Sequence, residues 1–275
     1  GEGPLWHKED QAVYWVDIPA GRLFCHHPAS GKTETHEIGR AIGGFTIQEN
    51  GALLMFMARG EIALWHNKKL ITLVQSIPGE EDSRFNDVIA DPQGRVFCGT
   101  MSSPARAGRL YRLETDLSIT TVLENLGTSN GMGFSRDGRC FYHTDTRTRE
   151  ICVYDYNEKT GAITNRRVFT KVPPDEGGPD GMTIDAEGCV WSARWGGSRL
   201  VKYAPDARVL ATFFFPVLRV SCPTFGGPDY ADIFITTAGG QDRAQLGATA
   251  GSLFRLRCGV QGVPEYRSKI SASPL

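Results

Sequence analysis

No apolar run in this 275-residue sequence approaches the roughly 18 residues needed to span a bilayer. The opening stretch, GEGPLWHKED, also lacks the charged-then-apolar order of a secretory signal. The chain starts with Gly rather than Met, which leaves a trimmed native segment open. There is no C-x-x-C pair: the seven cysteines are an odd number, and Cys98, Cys140, Cys152 and Cys189 fall in expected strands as small buried hydrophobes. A reducing, cytoplasmic compartment is the expectation. Nor is there a basic block. Thirty Lys and Arg against thirty-one Asp and Glu give a formal net charge of −1, too little positive charge to release counterions from nucleic acid. The six histidines show no H-E-x-x-H spacing, and the His26-His27 pair sits on an expected outer strand, where a surface or packing role suffices. No linker, low-complexity tract or amphipathic helix interrupts the chain.

What the sequence has is a repeat of about 45 residues, the spacing of propeller blades. VIADPQGRVFCGT, GMGFSRDGRCFYHTDT and GMTIDAEGCVWSARW share an apolar strand, a polar turn ending in Gly, and a second aromatic or β-branched strand, which is a β-hairpin. The turn glycines are Gly94, Gly138 and Gly188, with Gly51 in the same place. Degenerate copies put Asp10 there in the first repeat and Asp229-Tyr230 in the last. Each hairpin is followed by a second strand pair, down to GSLFRLRCGVQGVPEY, so the reading is an all-β, six-bladed β-propeller of four antiparallel strands per blade, one domain over 1–275. A two-sheet sandwich is the competing architecture, but it gives no reason for sixfold periodicity. At 40% hydrophobic residues the chain has the material for its core.

The first strand of a propeller blade lines the central channel, so equivalent positions form a ring at one mouth. Eight residues before each turn position stand Glu2, Asn86, Asn130 and Asp180, all oxygen donors; blade two offers Gly43 and blade six approximately Ser221. Taken singly, Asn130-Gly131 and Asp180-Gly181 read as tight turns and Glu2 as a terminal charge. The shared register is what those readings leave unexplained. Two carboxylates and two amides converging on one axis repel or stay unsatisfied when dry, and a divalent cation ties them together. Oxygen donors without His or Cys suit a hard ion such as Ca²⁺, Mg²⁺ or Mn²⁺.

The strings GEGPLW, YWVDIPAGRL, SRFNDVIADPQGRVFCGTM, SNGMGFS, NRRVF, PDGMTIDAEGCVW and CPTFGG resemble the family of senescence marker protein-30, gluconolactonases and luciferin-regenerating enzymes, in one order over essentially the whole chain. The resemblance implies a six-bladed propeller with one catalytic divalent metal and hydrolysis of a sugar lactone. It implies Glu2, Asn130 and Asp180 as metal ligands, and Arg84 and Asn86 as substrate contacts, with Asn86 close to the metal. Asp180 is the expected general base. The ion's identity stays open among Ca²⁺, Mg²⁺, Mn²⁺, Zn²⁺ and Fe²⁺, as do the lactone and the oligomeric state. The chain departs from animal members after GTM, where SSPARAG replaces a longer loop with an acidic substrate contact; the site is expected to be more open there.

Other readings compete. A metal-dependent phosphoesterase would use the same donors, and a non-enzymatic scaffold would need none of them. Gly127-Thr128-Ser129-Asn130-Gly131 fits G-x-S-x-G, but the nucleophile elbow requires a following helix, and a hairpin follows. Hairpin geometry also places a residue about seven beyond the turn near the ring: Asp17 beside Glu2, Asp145 beside Asn130 and Trp195 beside Asp180. Asp145 is thereby the expected acceptor that orients the Asn130 amide, and Asp17 a supporting residue for Glu2.

Overall fold

The computed structural model describes residues 1–240 and 243–271. Its six antiparallel sheets each take up one repeat. The first strands are Glu2–His7, Ile42–Ile47, Phe85–Ala90, Ser129–Phe134, Gly178–Ile184 and Val220–Gly226. Each touches the next and the last touches the first, closing a ring around a channel. The protein is a six-bladed β-propeller, with helix among the described residues confined to Pro174–Glu176 and Arg243–Leu246. None of it is long and apolar enough to cross a membrane.

The turns follow from backbone sterics. Gly51, Gly94, Gly138 and Gly188 take φ of 84°, 87°, 67° and 83°, which a side chain resists. In the degenerate copies Gln11 (φ 48°) and Tyr230 (φ 54°) carry the left-handed residue. Six apolar clusters fill the gaps between the blades. Between blades three and four, for example, Phe97 packs against Phe134 and Phe141 at 6.0 and 4.8 Å. The closure between blades six and one is aromatic, with Trp6 stacked on Phe234 at 5.8 Å. All seven cysteines are free, and five of them are buried.

The last blade differs from the repeat. Five sheets have four strands, but among the described residues the sixth has three, ending at Phe254–Leu256. The chain beyond it runs as a strap across the channel end opposite the ring. Gly262 bridges Asp185 of blade five and Ser268 bridges Gln48 of blade two, while the Lys269 amide donates to the Gly94 carbonyl of blade three at 2.8 Å. The strap's own backbone groups are thus paired with blades two, three and five rather than with a strand of blade six.

Candidate active site at the channel mouth

Every first strand slips register at the ring: after Glu2, at Gly43, at Asn86-Asp87, after Asn130, at Asp180-Gly181 and at Ser221. A bulge re-aims the side chain beside it, and here six of them face one axis. The glycines follow from the same crowding. Gly131 and Gly181 are not turn residues but lie within strands. A Cβ on Gly131 would stand 2.5 Å from the Asp180 carbonyl oxygen, and one on Gly181 would stand 2.3 Å from Cys222 Sγ. Gly43 is tighter still, its Cβ falling 2.0 Å from the Phe85 carbonyl oxygen, so blade two has no room for a donor.

The ring brings Asn130 and Asp180 together. Both are buried, and Asn130 Nδ2 donates to Asp180 Oδ1 at 2.5 Å. Asp180 Oδ2 is buried with no hydrogen-bond partner. Burial, then the charges of Glu2 and Asp87, hold the Asp180 carboxyl well above its ordinary range. Burial pushes Glu2 up to about 7. Arg84 faces this group; burial lowers its pKa while Glu2 and Asp180 oppose that. Its Nη1 donates to Asn86 Oδ1 at 2.8 Å, and Asn86 Nδ2 donates to the Ser129 carbonyl at 3.0 Å. Asn86 thus ties Arg84 to blade four. Two carboxylates crowded together, one with an orphaned oxygen, fit a divalent cation held by Glu2, Asn130 and Asp180.

Above the ring opens a cleft of about 520 Å³, lined by Glu2, Arg84, Asp17, Trp15, Trp195 and Arg219 among others. No residue of 102–107 lines it. That short loop is pinned away by Arg106, which pairs with the buried Glu80.

The structure corrects the expectation for Asp145. The bulge shifts the register, so Ser129 rather than Asn130 pairs with Asp145. The Asp145 carboxylate accepts from the amides of Gly127, Thr128 and Arg147, each at 3.1 Å, and so braces the loop rather than the Asn130 amide. Thr146 takes that role: its Oγ1 accepts from Asn130 Nδ2 at 3.1 Å and donates to the Pro179 carbonyl at 2.8 Å. Trp195 likewise pairs with Gly178, two residues from Asp180. Asp17 lines the cleft with Glu2, and its Oδ1 faces the Ala20 amide at 3.5 Å.

Sequence reasoning missed Asp87, whose carboxyl burial raises to about 6. It sits in the same bulge as Asn86, and a rule taking one residue per strand passes over it. It also missed the Ser129 partner, His143, whose Nε2 lies 2.8 Å from Ser129 Oγ. Both residues are buried, and burial lowers His143 to about 4, so the imidazole is neutral. A serine with no exposed surface cannot reach substrate. Ser129→Ala is therefore expected to keep turnover within about threefold while costing roughly 1–3 kcal/mol of stability through the unpaired imidazole, as kinetics and a denaturant melt would show. Among the described residues the one tight group of acidic and thiol donors is elsewhere, at Asp185, Glu187 and Cys189 in the blade-five turn. Lys202 Nζ already lies 2.9 Å from Asp185 Oδ2, and the Trp191 indole N–H and two backbone amides fill the rest, so that group is a satisfied turn.

A closed propeller with an oxygen-donor ring under an open cleft is the architecture of a small-molecule site. Residues 1–239 match the SMP-30/gluconolactonase/LRE-like region, and the chain belongs to that family. It is 44% identical to the pentonolactonase XacC of Haloferax volcanii, over 98% of this chain and 94% of that protein. It is 32% identical to regucalcin of Gallus gallus, over 97% and 93%. Among solved structures, a calcium-binding regucalcin of Agrobacterium tumefaciens superposes with a TM-score of 0.90 at 26% identity, covering 98% of this chain and 94% of the other.

Proposed function

We propose that this protein hydrolyses a sugar lactone to the open aldonic acid, with a divalent cation held by Glu2, Asn130 and Asp180. The observation that carries the reading is the buried, unpartnered Asp180 Oδ2, on a carboxylate that accepts from Asn130 and feels the charge of Glu2, which itself lines the cleft with Arg84. The lactonase among its relatives supports the substrate class. When bound, the cation supplies Lewis acidity toward the lactone carbonyl and water beside it. The chain's own residues do the rest. The Asp180 carboxylate, through the oxygen it does not commit to the cation, takes a proton from the attacking water. Water adds to the carbonyl carbon, the ring C–O bond breaks, and the proton passes to the departing ring oxygen. Arg84, held by Asn86, donates to the substrate's oxygens and fixes the ring against the ligands. Asp17 stands at the rim, placed to meet a sugar hydroxyl.

Arg84→Ala is expected to lower kcat/KM by roughly 10- to 100-fold, about 1.4–2.8 kcal/mol, with metal content unchanged. Unaltered kinetics would remove Arg84 from substrate binding. The function itself is tested by proton release from a panel of aldonolactones, using protein stripped of metal and then reloaded with Ca²⁺, Mg²⁺, Mn²⁺, Zn²⁺ or Fe²⁺. Turnover that is absent when stripped and restored on reloading supports the reading; turnover indifferent to metal contradicts it.

A further inference from the structure

Trp195 stands at the top of strand Val190–Trp195 with 37% of its surface exposed. An exposed large aromatic costs solvation and is informative when it lines a cavity. Here it walls the same cleft as Glu2 and Arg84. The indole is also held: the Arg219 guanidinium lies 5.0 Å from the ring centroid, a cation–π contact that fixes its plane. Trp15, also in the cleft wall, is held on Phe24 at 5.1 Å and nearly parallel to it. The cleft therefore combines flat aromatic surface with the charged donors Arg84 and Arg219 and the acceptor Asp17.

We propose that Trp195, positioned by Arg219, is the platform on which the sugar ring of the substrate stacks, and that it selects hydroxylated lactones over plain aliphatic ones. This rests on the lactonase reading above and names the specificity of the same site. An indole face carries negative charge density. The C–H face of a furanose or pyranose ring presents slightly positive hydrogens in one plane, while its hydroxyls point outward to donors and acceptors at the rim. An aliphatic lactone also has ring C–H bonds, but it lacks the hydroxyls that make those hydrogens more positive and that anchor the ring to donors and acceptors at the rim. Arg219 acts through Trp195, keeping the indole in the orientation that meets the ring.

The test compares a pentono-1,4-lactone with γ-butyrolactone in the metal-loaded wild type, Trp195→Ala, Trp195→Phe and Arg219→Ala. Trp195→Ala is expected to lower the ratio of kcat/KM for the pentonolactone over γ-butyrolactone by roughly 10- to 100-fold, mainly through KM. Trp195→Phe should recover much of that ratio, and Arg219→Ala should lower it by less than Trp195→Ala. The ratio is insensitive to how much enzyme is folded. An unchanged ratio in Trp195→Ala overturns the proposal. A second measurement separates it from the lactonase reading: quenching of indole fluorescence by a 1,4-anhydropentitol, which keeps the hydroxylated five-membered ring, has no ester bond to hydrolyse and needs no turnover. Saturable quenching in the wild type that is lost in Trp195→Phe supports the platform even if neither lactone is hydrolysed. Absent quenching, or equal quenching in both proteins, overturns it.

Discussion

Asp180→Ala is expected to lower kcat for lactone hydrolysis by roughly 10³-fold or more, about 4 kcal/mol, and to abolish tight metal binding, while the propeller stays folded. The size follows from two losses at one residue, a proton acceptor and a charged ligand. Folding is spared because the side chain is buried against its own kind of charge. Removing it ends the cost of holding a buried carboxylate beside the charges of Glu2 and Asp87, and the apolar clusters between the blades do not involve it. A melt of the metal-free variant at or above the wild-type midpoint, with turnover lost, is the expected pair of results. Turnover near wild type at saturating metal would take Asp180 out of the chemistry.

The second large effect is a pH dependence that reverses with metal. Glu2 sits at about 7 in the fold against an ordinary value near 4.5. The folded state therefore binds more protons than the unfolded chain between those values, and metal-free stability must fall as pH rises from about 4.5 through 7. The penalty is fully present above that window and is on the order of a few kcal/mol, since each pKa unit is about 1.4 kcal/mol. Asp180, shifted in the same direction, adds to it. A divalent cation binds the ionised carboxylates, so saturating metal should remove the fall or turn it into a rise. Thermal melts from pH 5 to 8 with and without metal check this. Glu2→Gln should flatten the metal-free profile and weaken metal affinity more than it harms activity at excess metal. An equally steep metal-free profile in Glu2→Gln would assign the titration elsewhere.

The architecture was legible because its signals are local. A left-handed residue at each hairpin turn selects Gly, so Gly51, Gly94, Gly138 and Gly188 mark the repeat, and counting back from them reaches Asn130 and Asp180. The bulges at the ring were not legible. They arise where six strands crowd one axis, and they displace the hairpin register that pointed to Asp145 while bringing Thr146 to the Asn130 amide. The same crowding explains why the glycines after Asn130 and Asp180 resemble turn dipeptides: each makes room for a neighbouring strand, a long-range reason written in a local residue. The strap from Gly262 to Ser271 was hidden for a related cause. Its partners, Gln48, Gly94 and Asp185, lie on three blades, and no periodicity links them to the strap.

The central claim is that Glu2, Asn130 and Asp180 form one divalent-cation site on which lactone hydrolysis depends. It is tested most directly by titrating metal-stripped wild type and Asp180→Ala calorimetrically with Ca²⁺, Mg²⁺, Mn²⁺, Zn²⁺ and Fe²⁺ in turn, and assaying aldonolactone turnover at each point. The expected result is one ion per wild-type chain for at least one metal, turnover rising in step with occupancy, and neither event in Asp180→Ala. Turnover in stripped wild type, or the same stoichiometry and affinity in Asp180→Ala, would contradict it.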